Sequence, residues 1–493
     1  MKQASSSLLM LLCFCSVHAQ DTTWRCTYGG AGYDEGRAVI ETSDTNYLVV
    51  GATGSFGYGE ADVYVLKIDR NGNKIWSNVY GGPNTDWGYS VEETPDSCYI
   101  IAGYTNSFGA GGYDVYLLKI DRTGKLLWQK TFGGTDWDLG YSLKITPDSG
   151  FAIAGETYSY GAGDADVFLV KTDKDGNLQW QKTYGGNKKD IGRSIDLTYD
   201  SGFVLAGETW SYGAGENDVY VIKTDGNGDT AWTRMFGDSL ENFGNKVKQI
   251  KDSSYVCVGV TEIIQPYNFD SYYFKINKNG SLVWNYTLAN TNEEIGYDFI
   301  ETLDSAFRIA NTTNSVGSGG KDLFLLFLTK DMIFQLNGGS YGYIGDEIFY
   351  SISLCFDKGL ILAGTTNSYG KGYNDVFIMK LDSLGIPING IPNVNSDTII
   401  SFINSPSLQK SIPDVSLKLI NGKISLLLNK SIYNHEVSLF IFDIFGRNVF
   451  YSTQINKSFF EIDINNLTTG IYFYKLASGN NLLFQEKFLL IGR

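Results

Sequence analysis

The sequence predicts an all-β protein, a seven-bladed β-propeller followed by a small immunoglobulin-like β-sandwich, on three observations. A tryptophan recurs every 52 residues, at Trp24, Trp76, Trp128, Trp180, Trp232 and Trp284. An aspartate recurs with the same period and returns once more after one inserted residue, at Asp62, Asp114, Asp166, Asp218, Asp270, Asp322 and Asp375. The period then stops, and shorter alternating strands follow. A fixed period of this length is typical of repeat architectures.

Each repeat contains four strand-like runs, for example "KLLWQKTFGG", "LGYSLKITPD", "GFAIAGETYS" and "ADVFLVKTDKDG". In "DVFLVK" apolar residues occupy both alternating sets of positions, which predicts a strand that is buried on both faces. The turn before each tryptophan strand repeats a glycine, which supplies the positive φ of a tight hairpin. Four antiparallel strands in each of seven repeats predict a propeller.

The order of the runs predicts that the propeller closes on itself. The array begins with a tryptophan strand, "TTWRCTYGG", and ends with the three other strands of a repeat. The first strand can therefore complete the last blade. These repeats resemble the secreted bacterial propellers of the form D-Y-K-D-G-W-YGG and, more loosely, kelch propellers. The tryptophan precedes the glycine pair here, unlike in kelch, so no kelch binding residue is carried over.

The N-terminal residues predict export. Residues 1–19 combine a basic start, a short apolar run and small residues before the expected cut, which is typical of a Sec signal peptide. Neither Cys13 nor Cys15 follows the small residues of a lipoprotein signal. No later apolar run approaches the roughly 20 residues that span a bilayer. The net charge of −15 argues against nucleic acid or an anionic membrane as partner.

Composition divides the mature chain into three parts. We predict the propeller at 20–385, a proline-containing linker at 386–414 and a C-terminal β-sandwich at 415–493. In the last part "SLFIFDIFGRNV", "INNLTTGIYFYKL" and "EKFLLIGR" resemble, in order, the signature strands of the C-terminal sorting domain of the type IX secretion system of Bacteroidota. The matching signature positions are Asp443, Gly446, Arg447, Gly470 and Tyr472.

The resemblance implies that this domain carries the folded protein to the type IX machinery. The product would then be held at the cell surface or released. The alternative is an ordinary immunoglobulin-like module that packs on the propeller. We expect a monomer.

The residue inventory restricts the possible chemistry. The two histidines, His18 and His435, lie in the predicted signal peptide and in the tail. The propeller therefore lacks a histidine base or a histidine-ligated metal. The remaining candidates are carboxylates that precede one strand of each repeat, namely Asp34, Asp86, Asp138, Asp190, Glu294 and Glu347, with Asn242 in the fifth position. Such a column could bind Ca²⁺ at the channel mouth, supply a glycosidase pair or bond neighbouring blades.

Binding residues in a repeat protein are expected where the pattern breaks. Trp137 stands in a column otherwise filled by Tyr, Thr, Lys, Glu and Asp, which predicts a solvent-facing ring. Tyr158 and Trp210 share a second variable column on adjacent blades 3 and 4. Trp87 is not predicted to be a binding residue, because its column is otherwise mostly apolar. Exposed rings among polar groups suit stacking on sugars or contact with a protein.

The sequence therefore predicts an exported surface propeller that binds a polysaccharide or a surface protein through Trp137, Tyr158 and Trp210. A carboxylate-based glycoside hydrolase or lyase is the first alternative. A structural or adhesive spacer is the second. The sequence identifies no cofactor with certainty, and Ca²⁺ is the ion that the carboxylate column could bind.

Overall fold

The computed structural model describes residues 23–264, 268–288, 292–315, 319–329 and 334–383, together with the strands named below between 415 and 490. Two compact units make up the chain, Met1–Ile403 and Asn404–Arg493. The described residues form strands and turns and contain no helix, so no helix among them could cross a membrane. The predicted signal peptide and the predicted linker lie outside the described residues.

Each repeat folds into one four-stranded antiparallel sheet, and this confirms the predicted seven-bladed propeller. The first three blades comprise β2 Asp34–Glu41, β3 Tyr47–Thr53, β4 Asp62–Ile68, β5 Lys74–Tyr80, β6 Asp86–Glu93, β7 Tyr99–Thr105, β8 Asp114–Ile120, β9 Leu126–Phe132, β10 Asp138–Ile145, β11 Phe151–Thr157, β12 Asp166–Thr172 and β13 Leu178–Tyr184. In each of these three sheets the strands pair in chain order.

Blades 4 to 6 repeat the same arrangement. Their strands are β14 Asp190–Leu197, β15 Phe203–Thr209, β16 Asp218–Thr224, β17 Thr230–Phe236, β18 Asn242–Gln249, β19 Tyr255–Ile264, β20 Asn268–Ile276, β21 Leu282–Leu288, β22 Glu294–Glu301, β23 Phe307–Thr313, β24 Asp322–Leu328 and β25 Phe334–Tyr341.

The last blade is completed by the N-terminal strand, as the order of the runs predicts. Blade 7 contains β26 Glu347–Leu354, β27 Leu360–Thr366 and β28 Asp375–Leu381. Its fourth strand is β1, Trp24–Tyr28, which pairs antiparallel with β28 from Trp24 opposite Lys380 to Tyr28 opposite Val376. The closed ring therefore has no unpaired sheet at its ends.

The core lies between blades. In β4 every residue is buried, because both faces of the sheet meet a neighbouring sheet. Leu48, Val50, Val63 and Val65 of blade 1, for example, form one buried cluster with residues of blade 2. The other neighbouring pairs of blades share equivalent clusters.

The turns between strands contain residues with a positive φ, and repeated polar side chains stabilise them. Gly72 has a φ of 83°, as predicted for the turn before a tryptophan strand. In the neighbouring turn Thr45 also has a positive φ, of 62°, although it carries a Cβ. The preceding Asp44 holds this turn, because its carboxylate accepts hydrogen bonds from Thr42 Oγ1 and from Lys67 Nζ at 3.1 Å.

The C-terminal unit contains two antiparallel sheets. Its strands are β29 Val415–Ile420, β30 Lys423–Leu428, β31 Val437–Asp443, β32 Asn448–Ile455, β33 Phe459–Asp463, β34 Gly470–Ser478 and β35 Asn481–Leu490. Strands β29, β30 and β33 form one sheet, and the order in the other is β32, β31, β34, β35.

Candidate functional site

A β-bulge in the innermost strand of every blade turns one side chain into the central channel. In β2 the pairing with β3 shifts between Gly36 and Ala38, so Arg37 is left unpaired. A bulge re-aims the residue that it leaves out of the ladder. The same shift recurs in the other six blades. We call the seven residues the channel ring: Arg37, Tyr89, Tyr141, Arg193, Asn245, Tyr297 and Tyr350.

The channel ring encloses a cavity of about 290 Å³. Tyr89 and Tyr141 meet edge to face with their ring centres 5.3 Å apart, and Tyr297 and Tyr350 do so at 5.2 Å. The guanidinium of Arg37 lies between these two pairs, 3.9 Å from the Tyr350 ring centre and 5.1 Å from that of Tyr89. The ring is therefore held by contacts between blades.

Each arginine of the channel ring has a buried carboxylate behind it. Arg37 forms an ion pair with Glu35, and Arg193 forms one with Glu208. Burial disfavours the Arg193 cation, but the Glu208 carboxylate outweighs burial and raises the pKa of Arg193. Burial also raises the pKa of both Tyr297 and Tyr350 to about 12, so both phenols are protonated at neutral pH.

The predicted binding residues form one patch on blades 3 and 4. The rings of Trp137 and Tyr158 are 6.1 Å apart at 70°, and Lys189 Nζ lies 5.9 Å from the ring centres of both Tyr158 and Trp210. Backbone hydrogen bonds bring these residues together in pairs. Tyr158 N–H donates to Trp137 O, and Trp210 N–H donates to Lys189 O. We call Trp137, Tyr158, Lys189 and Trp210 the aromatic face.

The residues of this face are not equally exposed. Trp137 is 51% exposed, while Tyr158, Lys189 and Trp210 are half-buried. Other residues in the column of Trp137, such as Tyr33 and Thr85, are also half-buried, although variability predicted solvent-facing side chains. Tyr33 O, for example, accepts a backbone hydrogen bond from Gly54 N of the same blade, and this bond holds the column against the neighbouring loop.

Aromatic contacts connect the aromatic face with the channel ring. Trp137 contacts Tyr113 at 5.5 Å, Tyr113 contacts Tyr104 at 5.2 Å, and Tyr104 contacts Tyr89 of the ring at 5.5 Å. A polar connection runs in parallel, because Glu156 accepts a hydrogen bond of 2.6 Å from Tyr141 Oη and lies 3.6 Å from Lys189 Nζ. The two groups of residues are therefore connected by side-chain contacts.

The predicted carboxylate column lies elsewhere. Asp34, Asp86, Asp138, Asp190, Glu294 and Glu347 are fully buried at the start of the innermost strands and do not line the cavity. Asp86 shows their role: its Oδ2 accepts hydrogen bonds from Gly82 N at 2.8 Å and Ser107 Oγ at 2.7 Å. Among the described residues no three His, Cys, Asp or Glu side chains are grouped so that they could hold a metal ion.

Sequence reasoning missed the arginines of the channel ring and the position of Trp87. The Trp87 ring lies 6.3 Å from Tyr104 and 5.5 Å from the Arg37 guanidinium, although its column is otherwise mostly apolar. The usable signal was the column of Arg37, where Arg, Tyr and Asn alternate inside an otherwise regular strand.

Three of the five predicted signature residues of the sorting domain lie on described strands. Asp443 ends β31 and stands opposite Tyr472 of β34, and Gly470 begins β34 opposite Leu490. Gly446 and Arg447 lie outside the described residues.

Comparison with protein families identifies the C-terminal unit. Residues 420–491 match the family of secretion system C-terminal sorting domains, which confirms the predicted sorting domain. This type IX sorting tail marks the protein for export to the cell surface or the extracellular space.

The other similar proteins are more distant. The regulatory protein FlaEY of Caulobacter vibrioides is 28% identical over 261 residues, which cover 45% of this chain and 26% of that protein. The extracellular domain of a B. thetaiotaomicron protein described as a hybrid two-component system is 11% identical, with a TM-score of 0.44, and covers 93% of this chain. A puromycin hydrolase is 11% identical, with a TM-score of 0.46, over 91% of this chain. This chain spans 57% and 62% of those two structures.

Proposed function

We propose that this exported propeller is a binding module that holds a polysaccharide against its aromatic face. The observation that carries the proposal is the arrangement of Trp137, half exposed yet in contact with Tyr158, beside a lysine that joins Tyr158 to Trp210. A large ring half in water gains from being covered by a ligand. Rings gathered with polar groups around them are typical of binding surfaces.

The geometry favours a sugar over a flat apolar ligand. The rings of Trp137 and Tyr158 stand at 70° to each other, so they form an angled wall and not a flat platform. A sugar can place its C–H face on one ring and direct its hydroxyl groups to polar neighbours. Lys189 and the exposed Asp136 supply such neighbours.

Export supports the same proposal. The sorting tail sends the protein to the cell surface or beyond it, where polysaccharides are available as ligands. A surface protein is the other partner that exposed aromatic residues suit. A pure spacer would make no use of Trp137.

The test is a binding titration with the full chain and its variants Trp137→Ala and Trp210→Ala. Tryptophan fluorescence would follow binding to a panel of polysaccharides, with and without Ca²⁺. Each variant should weaken binding about 30-fold, since a central aromatic contact contributes about 2 kcal/mol. Tyr199→Ala is the matched control, because Tyr199 is an exposed aromatic at the opposite end of blade 4.

The outcomes separate the candidate functions. Saturable binding that both tryptophan variants lose and Tyr199→Ala keeps would support the proposal. No change in fluorescence with any polysaccharide would overturn the proposal in favour of a protein partner or a spacer. Release of sugar from the polymer would instead favour a carboxylate enzyme, and loss of binding on removal of Ca²⁺ would redirect attention to the buried carboxylate column.

A further inference from the structure

We infer that the cavity inside the channel ring is a subsite for one acidic sugar, whose carboxylate is held between Arg37 and Arg193. This inference rests on the proposed function, because the acidic sugar would be the end residue of the polysaccharide on the aromatic face. The inference extends the proposed function in two ways. It specifies that the ligand is negatively charged, and it places the end of the polysaccharide chain in the channel.

The cavity presents mainly hydrogen-bond donors. Each guanidinium has five N–H donors, and Arg193 uses Nη2 for its hydrogen bond to Glu208. The side chains of Tyr297 and Tyr350 also line the cavity, and each carries a phenol O–H that can donate. A ligand that fits must supply acceptors, and a carboxylate supplies about four.

The cations face the cavity while their anionic partners are hidden. The Arg193 side chain is 38% exposed and that of Glu208 is 3% exposed. The pair of Arg37 with Glu35 shows the same contrast, 23% against 0%. Below them Lys246 is 26% exposed and Asp298 is 6% exposed. An entering ligand therefore meets positive charge first, and a guanidinium fork matches a carboxylate in geometry.

The size of the cavity limits what enters. Ligand pockets generally measure roughly 300 to 1,000 Å³, so a cavity of about 290 Å³ admits a single sugar and not a chain. The contacts through Tyr113, Tyr104 and Tyr89 give a continuous aromatic path from Trp137 to the cavity. The polymer would lie on the aromatic face with its terminal residue in the channel.

The experiment compares two probes with the same sugar chain, one with charged carboxylates and one with neutral methyl esters. Short oligogalacturonate and its methyl ester would be titrated against the full chain at low salt. We expect the acid to bind at least tenfold more tightly than the ester, and this preference should decline as salt is added. Free galacturonate alone distinguishes a site for any small carboxylate, which would bind it as well as the oligomer, from a subsite of a polymer site.

The chain supplies its own neutral version of the arginine pair. Blade 5 has Asn245 and Val260 where blade 4 has Arg193 and Glu208. The double variant Arg193→Asn, Glu208→Val therefore removes both charges together and leaves no buried ion unpaired. We expect its preference for the acid to fall below twofold, with an unchanged circular dichroism spectrum. Arg193→Lys, which keeps the charge, should retain part of the preference.

Each result decides between the two proposals. Equal binding of acid and ester by the unaltered protein overturns the acidic subsite and leaves polysaccharide binding in place. The same holds if the double variant keeps its full preference. If the protein binds neither probe and no neutral polysaccharide, both proposals fail together.

Discussion

The guanidinium carbon of Arg37 lies 3.9 Å from the centre of the Tyr350 ring, and this contact joins the first blade to the last inside the channel. Outside the channel the same two ends of the array meet through β1, which completes blade 7. The seam is thus closed from both sides. Its strength can be measured against the other blade boundaries.

We predict that replacing the tryptophan of the closing strand β1 lowers stability more than replacing the equivalent tryptophan of another blade. Trp24 is 4% exposed and its Nε1 donates to Arg70 O at 2.9 Å, whereas Trp232 is half-buried with the equivalent bond to Lys278 O at 3.2 Å. Trp24→Ala should cost about 3 to 5 kcal/mol of unfolding free energy, and Trp232→Ala less than half of that. Urea denaturation followed by circular dichroism measures both. Equal losses would show that the seam is no more vulnerable than other blades.

We predict that Gly133 tolerates no side chain. A Cβ at this position would stand 2.6 Å from Asp138 Oδ2 and would also overlap with Asp114 Oδ1. Gly133→Ala should destabilise the protein by about 1 to 3 kcal/mol. The control is Gly54→Ala, because a Cβ there meets nothing closer than 3.3 Å and other blades have larger residues in that column. A similar melting temperature for both variants would contradict the prediction.

The buried carboxylate pairs should make stability depend on pH. Burial, together with the nearby charge of Asp138, raises the pKa of Asp114 above its ordinary value. Protonation of Asp114 therefore stabilises the fold below the unfolded pKa of about 3.9, and this contribution is lost as pH rises through the folded pKa. Asp114→Asn should lose less stability than the unaltered protein between about pH 4 and pH 7. Thermal melts of both proteins across this pH range measure the effect. The prediction is refuted if the melting temperatures of the two proteins change with pH to the same extent.

The aspartate of the turn before β11 should behave in the opposite way. Asp148 is partly desolvated, but hydrogen bonds from Lys171, at 2.8 Å, and Thr146 outweigh this and lower its pKa to about 2. Its contribution is present above the unfolded pKa and is lost as pH falls through about 2. Asp148→Asn should therefore be less stable at neutral pH, with the difference vanishing in strong acid. A difference that persists at the lowest pH would have to come from packing.

Much of the fold follows from repeated columns. The 52-residue period fixes the register of the strands, and the lone tryptophan strand before Trp76 predicts that β1 pairs with β28. The aromatic face was also predictable, because Trp137 and Trp210 break columns that regular packing would keep uniform. Lys189 was not singled out, since a lysine is ordinary in a variable surface column.

The channel ring could not be predicted in the same way. In a regular strand, side chains alternate between the two faces of the sheet. A bulge inserts one extra residue and interrupts this alternation at that position. Arg37 and Tyr89 therefore point into the channel from positions that a regular strand would give to a sheet face. The positive φ of Thr45 could not be predicted either, because threonine disfavours this conformation. The hydrogen bonds of the neighbouring Asp44 stabilise the turn and offset this cost.

The pairing of β1 with β28 also sets an order in time. Trp24 is made early in synthesis, and its partner Lys380 appears only after all six intervening blades. Until then the first strand has no sheet to join, and contacts so distant along the chain form slowly. The unclosed array would expose a bare strand edge during export, the state in which β proteins aggregate. The protein is therefore most exposed to aggregation before its last blade has emerged.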